Sequence, residues 1–394
     1  MHWLRKYLDK IAPNFEHGGK LERLGPLYEA TDTILFSTDI RTKSGPHIRD
    51  SVDIKRVMIL VVISLLPCYL FGALNVGYQY SNAIGVNRTW IENLINGIFI
   101  IMPIIAVTFV SGAFWEILFA LIRRHPISEG FLVTCALIPL TLPPSIPLWQ
   151  VVIATSFGIV IGKEIFGGVG MNIFNPALTA RAFLYFTYPA QISGDKVWVV
   201  SPDGFSGATA LSIPAGKTDA NAVDLLNEAT ASMVFDYSWN NMFMGWIPGS
   251  IGETNKWLII LSALFLILVG ITNWRIMVAS VAGLLITALI MNLFSNYSNN
   301  SMLTIPPHYH LVMGSFLFGI VFMATEPVTG AHTNSGRWIY GFLIGVLTVI
   351  IRSINPAYPE GIMLAILLMN AFAPLIDYFV IQGNIKKRML RYAQ

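Results

Sequence analysis

Apolar residues run along this chain in long blocks separated by short polar or basic breaks. The blocks fall near 56–76, 91–122, 129–142, 148–166, 172–189, 256–272, 275–295, 310–326, 337–352 and 360–380. A hydrocarbon core of ~30 Å takes about 20 helical residues, and each block is long enough, or nearly so, to cross it. The pattern predicts an all-α integral membrane protein with about ten transmembrane helices. Two blocks break internally: 129–142 runs into Pro139, Pro143, Pro144 and Pro147, and 310–326 stops at Glu326-Pro327. Backbone freed by such breaks is tolerated at membrane depth only inside the protein, so both read as discontinuous helices.

The two broken blocks can be laid over each other. Gly130 to Pro144 aligns with Gly314 to Val328, bringing Thr141 onto Thr325 and Pro143 onto Pro327, and Asn-Pro-Ala follows each at 175–177 and 355–357. Five blocks precede the long polar connection near 190–245 and five follow it. Because five is odd, the second set must start from the opposite side of the membrane, which predicts two inverted five-helix repeats meeting near the midplane. With Lys55-Arg56, Arg123-Arg124, Arg275 and the basic tail on the cytoplasmic side, the positive-inside bias is satisfied. The expected organisation is a cytoplasmic amino-terminal region 1–55, a first repeat 56–189, an extracytoplasmic loop 190–245, a second repeat 246–381 and a cytoplasmic basic tail 382–394. Both termini are then cytoplasmic.

Composition sharpens this picture. Only 12% of the 394 residues are charged against 54% hydrophobic, where a soluble domain carries about 25% charged. Ten of the 25 Lys and Arg precede residue 57, and Lys386, Lys387, Arg388 and Arg391 crowd the tail. A nucleic-acid protein spreads its basic residues over one surface, so no nucleic acid partner is expected. Cys68 and Cys135 lie in apolar blocks without a partner motif and read as packing thiols. No secretory signal opens the chain, since the first 55 residues are polar and broken by Pro13 and Gly18-Gly19. His125, His308, His310 and His332 lack ligand spacing, and no metal site is expected from them.

The most informative stretch lies in the predicted outer loop, running from Asp203 and Gly204 through Phe205, Ser206, Gly207 and Ala208 to Thr209. Small flanking residues let a second protein and a bulky nucleotide approach the backbone, and Thr209 offers a hydroxyl expected to be reachable on a flexible segment. Taken alone, such a stretch beside a membrane is usually just a turn. Intramembrane acids are expensive and count as functional candidates; Glu116, Glu164, Glu326 and Asp377 stand out. Glu164 is also placed to pair with Lys163. Broken helices around a polar centre would equally suit a solute channel or secondary transporter.

The Asp203 to Thr209 stretch resembles the flavinylation motif D-G-x-[ST]-G-A-T, in which a flavin transferase joins FMN to the Thr hydroxyl through a phosphoester. The resemblance extends to His47 through Arg56, Gly162 through Gly168, Asn175 through Phe183 and Ala324 through Val328. Over essentially its whole length the chain is similar to the NqrB/RnfD family of bacterial membrane redox subunits. The polar start of about 55 residues, with Arg49 through Asp53, resembles the quinone-reducing branch more than the ferredoxin:NAD oxidoreductase branch.

That resemblance implies an electron-carrying subunit of a sodium-pumping NADH:ubiquinone oxidoreductase in the cytoplasmic (inner) membrane. It implies FMN on Thr209, with Asp203, Gly204, Ser206, Gly207 and Ala208 forming the attachment motif. A non-covalent riboflavin, ubiquinone as substrate and outward Na+ movement are implied too. So are the partner subunits NqrA, NqrC, NqrD, NqrE and NqrF. Glu116, Glu326 and Asp377 resemble family positions linked to sodium, with Glu326 departing from a frequent Asp, and Glu29 is a vestibule candidate. Gly112 and Ala113 match small residues near the family's quinone region, Ala113 standing where a second Gly is usual.

Overall fold

The computed structural model describes residues 2–15, 19, 21–25, 28, 32, 45, 54–124, 127, 130–202 and 205–392. Glu29, Asp203 and Gly204 lie outside them. The chain forms α1 (His2–Ile11), α2 (Ile54–Ala83), α3 (Trp90–Arg123), α4 (Gly130–Leu140), α5 (Leu148–Val160), α6 (Pro176–Thr187), α7 (Ala222–Ser232), α8 (Trp239–Met244), α9 (Lys256–Leu268), α10 (Trp274–Phe294), α11 (Pro307–Val312), α12 (Asn334–Ile354) and α13 (Ile362–Tyr392). Among the described residues there is no strand, only an isolated antiparallel bridge between Thr218 and Asn300. The all-α membrane architecture expected from the hydrophobic blocks is what the chain adopts.

Among the described residues six helices are long and apolar enough to cross a membrane, those of α2, α3, α5, α10, α12 and α13. The other four expected spans are shorter, and each has a local cause. Asn175 accepts hydrogen bonds from the backbone N–H groups of Ala177 (3.0 Å) and Leu178 (3.1 Å), and Pro176 occupies the first turn, so α6 starts late. Such a side-chain cap satisfies donors that an unstarted helix leaves open. Asn255 caps α9 in the same way, and left-handed Gly270 (φ +80°) closes the turn after it. Pro143 and Pro144 follow α4 and prevent its continuation. Gly314 (φ +67°) separates α11 from the turn at Phe316–Phe318, which widens into a π-helical turn over Gly319–Met323.

The helices pair in a recurring way. In the first half α3 packs on α5 and α5 on α6; in the second, α10 packs on α12 and α12 on α13. The halves join through α2 against α9 and α6 against α13. Apolar surface gives no drive between helices in lipid, so close backbone approach has to supply the contact. A Cβ on Gly97 would stand 1.7 Å from the Ala73 carbonyl oxygen, and one on Gly345 would stand 2.1 Å from that of Ser280. These glycines set the α2–α3 and α10–α12 crossings. Outward-facing Phe99 (73% exposed), Val110 (70%) and Leu268 (77%) form part of an apolar belt that water would not support.

The segment expected as a flexible outer loop is instead folded. Leu211, Leu226, Phe235, Tyr237 and Met242 are buried together with Met302, Ile305 and Met313 as a second, smaller core. It forms because α7 and α8 bring enough apolar side chains to cover the backbone of 205–215.

Candidate functional site

Thr209 sits on the wall of this second core. Its carbonyl accepts hydrogen bonds from the Ser212 N–H (3.0 Å) and Oγ (2.8 Å). One residue back, the Ala208 carbonyl accepts the Tyr237 hydroxyl at 2.6 Å. Burial raises the Tyr237 phenol well above its usual range, which keeps it a donor. Gly207 donates to the Asp195 carbonyl at 2.6 Å, and Ser206 Oγ to Asp195 Oδ2 at 3.2 Å. A Cβ on Gly207 would lie 2.7 Å from Val199 Cγ2, so the motif glycine serves close packing here. Thr209 is only 7% exposed, which corrects the expectation of a freely reachable hydroxyl: the fixed turn and Tyr237 fold it inward.

The Thr209 side chain lines a recess of about 30 Å³ shared with Arg181, Trp198, Ser212, Tyr358 and Glu360. The Tyr358 hydroxyl is buried without a hydrogen-bond partner among the described residues. Among those residues Arg181, 5% exposed on α6, makes no hydrogen bond or ion pair either. It belongs to a buried set of five ionisable groups with Glu253, Lys256, Arg352 and Glu360. The other two cations are occupied. Arg352 donates to the carbonyls of His310 (2.8 Å), Met313 (3.0 Å) and Glu360 (3.1 Å). Lys256 donates to those of Glu253 (2.6 Å) and Gly314 (3.0 Å). Sequence reading passed over Lys256, Arg352, Glu253 and Glu360, because basic residues at span ends ordinarily reach for the interface.

A larger cavity, about 100 Å³, lies between the two helix sets, lined by Thr134, Lys163, Asn172, Asn175, Thr325 and Glu326. Both broken elements contribute to it. Glu326 accepts hydrogen bonds from Asn172 Nδ2 (3.3 Å) and Thr329 Oγ1 (3.0 Å). The remaining acids are differently placed. Glu116 is buried in an ion pair with Lys163, which also lies 3.5 Å from Glu164. Glu164 in turn meets Arg123 at 3.1 Å, so its pairing with Lys163 is part of a four-residue network. Asp377 accepts from the backbone N–H of His332 (2.6 Å) and of Thr333 (3.0 Å), and from Thr333 Oγ1 (2.5 Å). It ties the start of α12 to α13.

Gly112 faces inward, where a Cβ would stand 2.3 Å from Cys135 Sγ. Next to it, half-buried Ala113 leads to an open apolar groove of about 500 Å³ between α3 and α5, lined by Val107, Val110, Phe114, Trp115 and Val152. The structure therefore places Thr209 at the recess, while Lys163 links Glu116 to the cavity that holds Glu326, and Asp377 lies apart at the start of α12.

Two sets of apolar helices around a largely apolar cavity that holds Lys163 and Glu326, together with a folded segment carrying Thr209, define a multi-pass all-α membrane protein with two separate candidate sites. The sequence pattern of the NQR2, RnfD, RnfE family matches residues 41–386, and the chain belongs to that family. It is 48% identical to the B-type subunit of the Na(+)-translocating NADH-quinone reductase of Chromohalobacter salexigens, across 99% of this chain and 97% of that one. The protein of the same name from Ectopseudomonas mendocina is 47% identical across 98% and 99%. That of Azotobacter vinelandii is 46% identical across 98% and 99%.

Proposed function

We propose that this chain is the membrane subunit of a sodium-translocating NADH:quinone reductase that passes electrons from FMN on Thr209, by way of a riboflavin, to ubiquinone, coupled to Na+ export. The near full-length similarity to proteins named as the B-type component of that enzyme supports the reading. That similarity spans the polar amino-terminal stretch, which favours the quinone-reducing branch over the ferredoxin-linked one. Family membership leaves the solute-channel reading without support.

The recess carries the cofactor proposal. Its Thr hydroxyl, unpartnered Tyr358 hydroxyl and Arg181 guanidinium are a donor set suited to a phosphoester. Bound there, the flavin supplies one- and two-electron chemistry, while the chain sets its position and surroundings. Ser212 and Tyr237 hold the backbone on either side of the attachment oxygen. On this reading the segment 190–245 faces the outside, the termini face the cytoplasm of a bacterial inner membrane, and five partner subunits and a flavin transferase complete the assembly.

Glu326 is the proposed sodium-contacting carboxylate, because it lines the central cavity with Asn172, Asn175 and Thr325, side chains that carry the hard oxygens such a cation prefers. Quinone approach is assigned to the apolar groove beside Gly112 and Ala113.

The experiment is in-gel flavin fluorescence of the denatured subunit, expressed with its transferase, for wild type and Thr209→Val. A fluorescent wild-type band that vanishes in the variant is the expected outcome. An unlabelled wild type in active complex overturns the reading. Sodium stimulation of ubiquinone reduction by NADH separates this enzyme from the ferredoxin-linked relative.

A further inference from the structure

The five buried ionisable groups behind Thr209 do not balance. Among the described residues Arg181, Lys256 and Arg352 face only Glu253 and Glu360, which leaves one positive charge in excess even when both acids are ionised. A buried charge is costly unless it is paired and hydrogen-bonded, and two of the three cations are satisfied by backbone carbonyls. Glu360 is also engaged, its Oε2 accepting from Ser315 N–H (3.2 Å) and Oγ (3.0 Å). Arg181, the cation of the set that borders the recess, has Glu253 and Glu360 as acidic neighbours but makes no hydrogen bond or ion pair with them.

We infer that Arg181 and the Tyr358 hydroxyl hold the phosphate of a nucleotide esterified to Thr209, the guanidinium supplying the counter-charge. This inference rests on the flavin reading of Thr209. Three observations meet in it. The recess holds three donors without partners among the described residues: the Thr209 hydroxyl, the Tyr358 hydroxyl and the Arg181 guanidinium. Its volume of about 30 Å³ suits two or three water-sized groups, at ~10–15 Å³ each, which is the size of a phosphate rather than of a flavin ring. A phosphodiester carries one negative charge, matching the single excess cation. The planar fork of an arginine suits two phosphate oxygens at once, where an ammonium offers a point charge. A flavin ring would have to lie outside a recess of this size.

Arg181 and Tyr358 are thus positioning residues. They come from α6 and from the connection between α12 and α13, so the phosphate would tie the outer segment to both helix sets.

Hydrogen–deuterium exchange on the purified complex tests this, with peptides over 184–195 and 205–214 followed in wild type, Thr209→Val, Arg181→Gln, Arg181→Lys and Tyr358→Phe. Mass analysis of the 205–214 peptide first establishes loading. Wild type without an FMN increment overturns the assignment of Thr209, and this inference falls with it. In loaded wild type, both peptides exchange about tenfold more slowly than in Thr209→Val, the protection expected from a charged hydrogen bond. In loaded Arg181→Gln that slowing drops below about twofold, and Arg181→Lys and Tyr358→Phe retain part of it. Equal exchange of the 184–195 peptide in wild type and Thr209→Val overturns the inference while leaving the flavin reading intact. So does full protection in loaded Arg181→Gln. Should Arg181→Gln fail to assemble, Tyr358→Phe and the comparison of wild type with Thr209→Val decide.

Discussion

The ammonium of Lys163 and the carboxylate of Glu116 form a buried ion pair, each side chain only 2% exposed, that joins α3 to the turn after α5. Breaking such a pair leaves one charge buried and uncompensated, which costs about 3–5 kcal/mol. Glu164, 3.5 Å from Lys163, offsets part of that cost. Glu116→Gln is expected to lower the thermal stability of the complex measurably. The double variant Glu116→Leu/Lys163→Met should recover most of the loss. If the double variant is no more stable than the single one, the pair is not what stabilises this region.

Glu326 is predicted to behave differently. Glu326→Gln keeps the shape and one acceptor oxygen, so stability should change by under about 1 kcal/mol. The sodium concentration for half-maximal quinone reduction is expected to rise about tenfold, the effect of losing one hard anionic ligand worth ~1.4 kcal/mol. An unchanged sodium titration would remove Glu326 from the ion path.

Asp377 holds the start of α12 through three hydrogen bonds. Charged hydrogen bonds contribute about 1.5–3 kcal/mol each. Asp377→Ala should therefore destabilise the complex in a thermal melt while shifting the sodium titration by less than about twofold. A large sodium shift with no loss of stability would instead make it an ion ligand.

Gly97→Ala places a methyl group against the Ala73 carbonyl at 1.7 Å and forces α2 and α3 apart. Overpacking of this kind costs about 1–3 kcal/mol or more, to be read as a lower melting temperature. Gly383→Ala, inside α13 with nothing within 4 Å of the added carbon, is the matched control and should leave the melting temperature unchanged or slightly raised.

Tyr237 carries a pH dependence. Its phenol is raised by burial in the folded chain, so the folded state holds its proton beyond the pH at which an unfolded Tyr, near about 10, releases it. Its contribution is full below that pH and is lost as pH rises above it. Exchange of 205–214 should be flat from about pH 6 to 9 after correction for intrinsic rates. Tyr237→Phe should speed it by about fivefold through loss of the bond to Ala208.

The long spans were legible because hydropathy accumulates over 20 residues, and α3, α10 and α12 match their expected blocks closely, whereas α2 runs on to Ala83 and α13 continues to Tyr392, through the expected basic tail. The shortness of α6 was also within reach, since Asn175-Pro176 is a start signal written in adjacent residues. Other features were hidden for a physical reason. The partner of Glu116 lies 47 positions away, and no local pattern encodes that meeting. Lys256 and Arg352 stand at helix ends, where an interfacial cation and a buried one share the same sequence context. Folding of the segment around Thr209 depends on Met302, Ile305 and Met313 arriving from the second half of the chain, and periodicity within 190–245 cannot report them.

A hydroxyl turned inward, with its peptide strapped by Ser212 and Tyr237, imposes a timetable on maturation. An enzyme that esterified Thr209 would have to meet the chain before the 205–243 segment closes, or during an excursion that reopens it. Once the two helix sets have settled, the same closure would shield a group carried on Thr209 from water. If Thr209 carries such a group, attachment and assembly become ordered events, and a chain that folds first would remain blank.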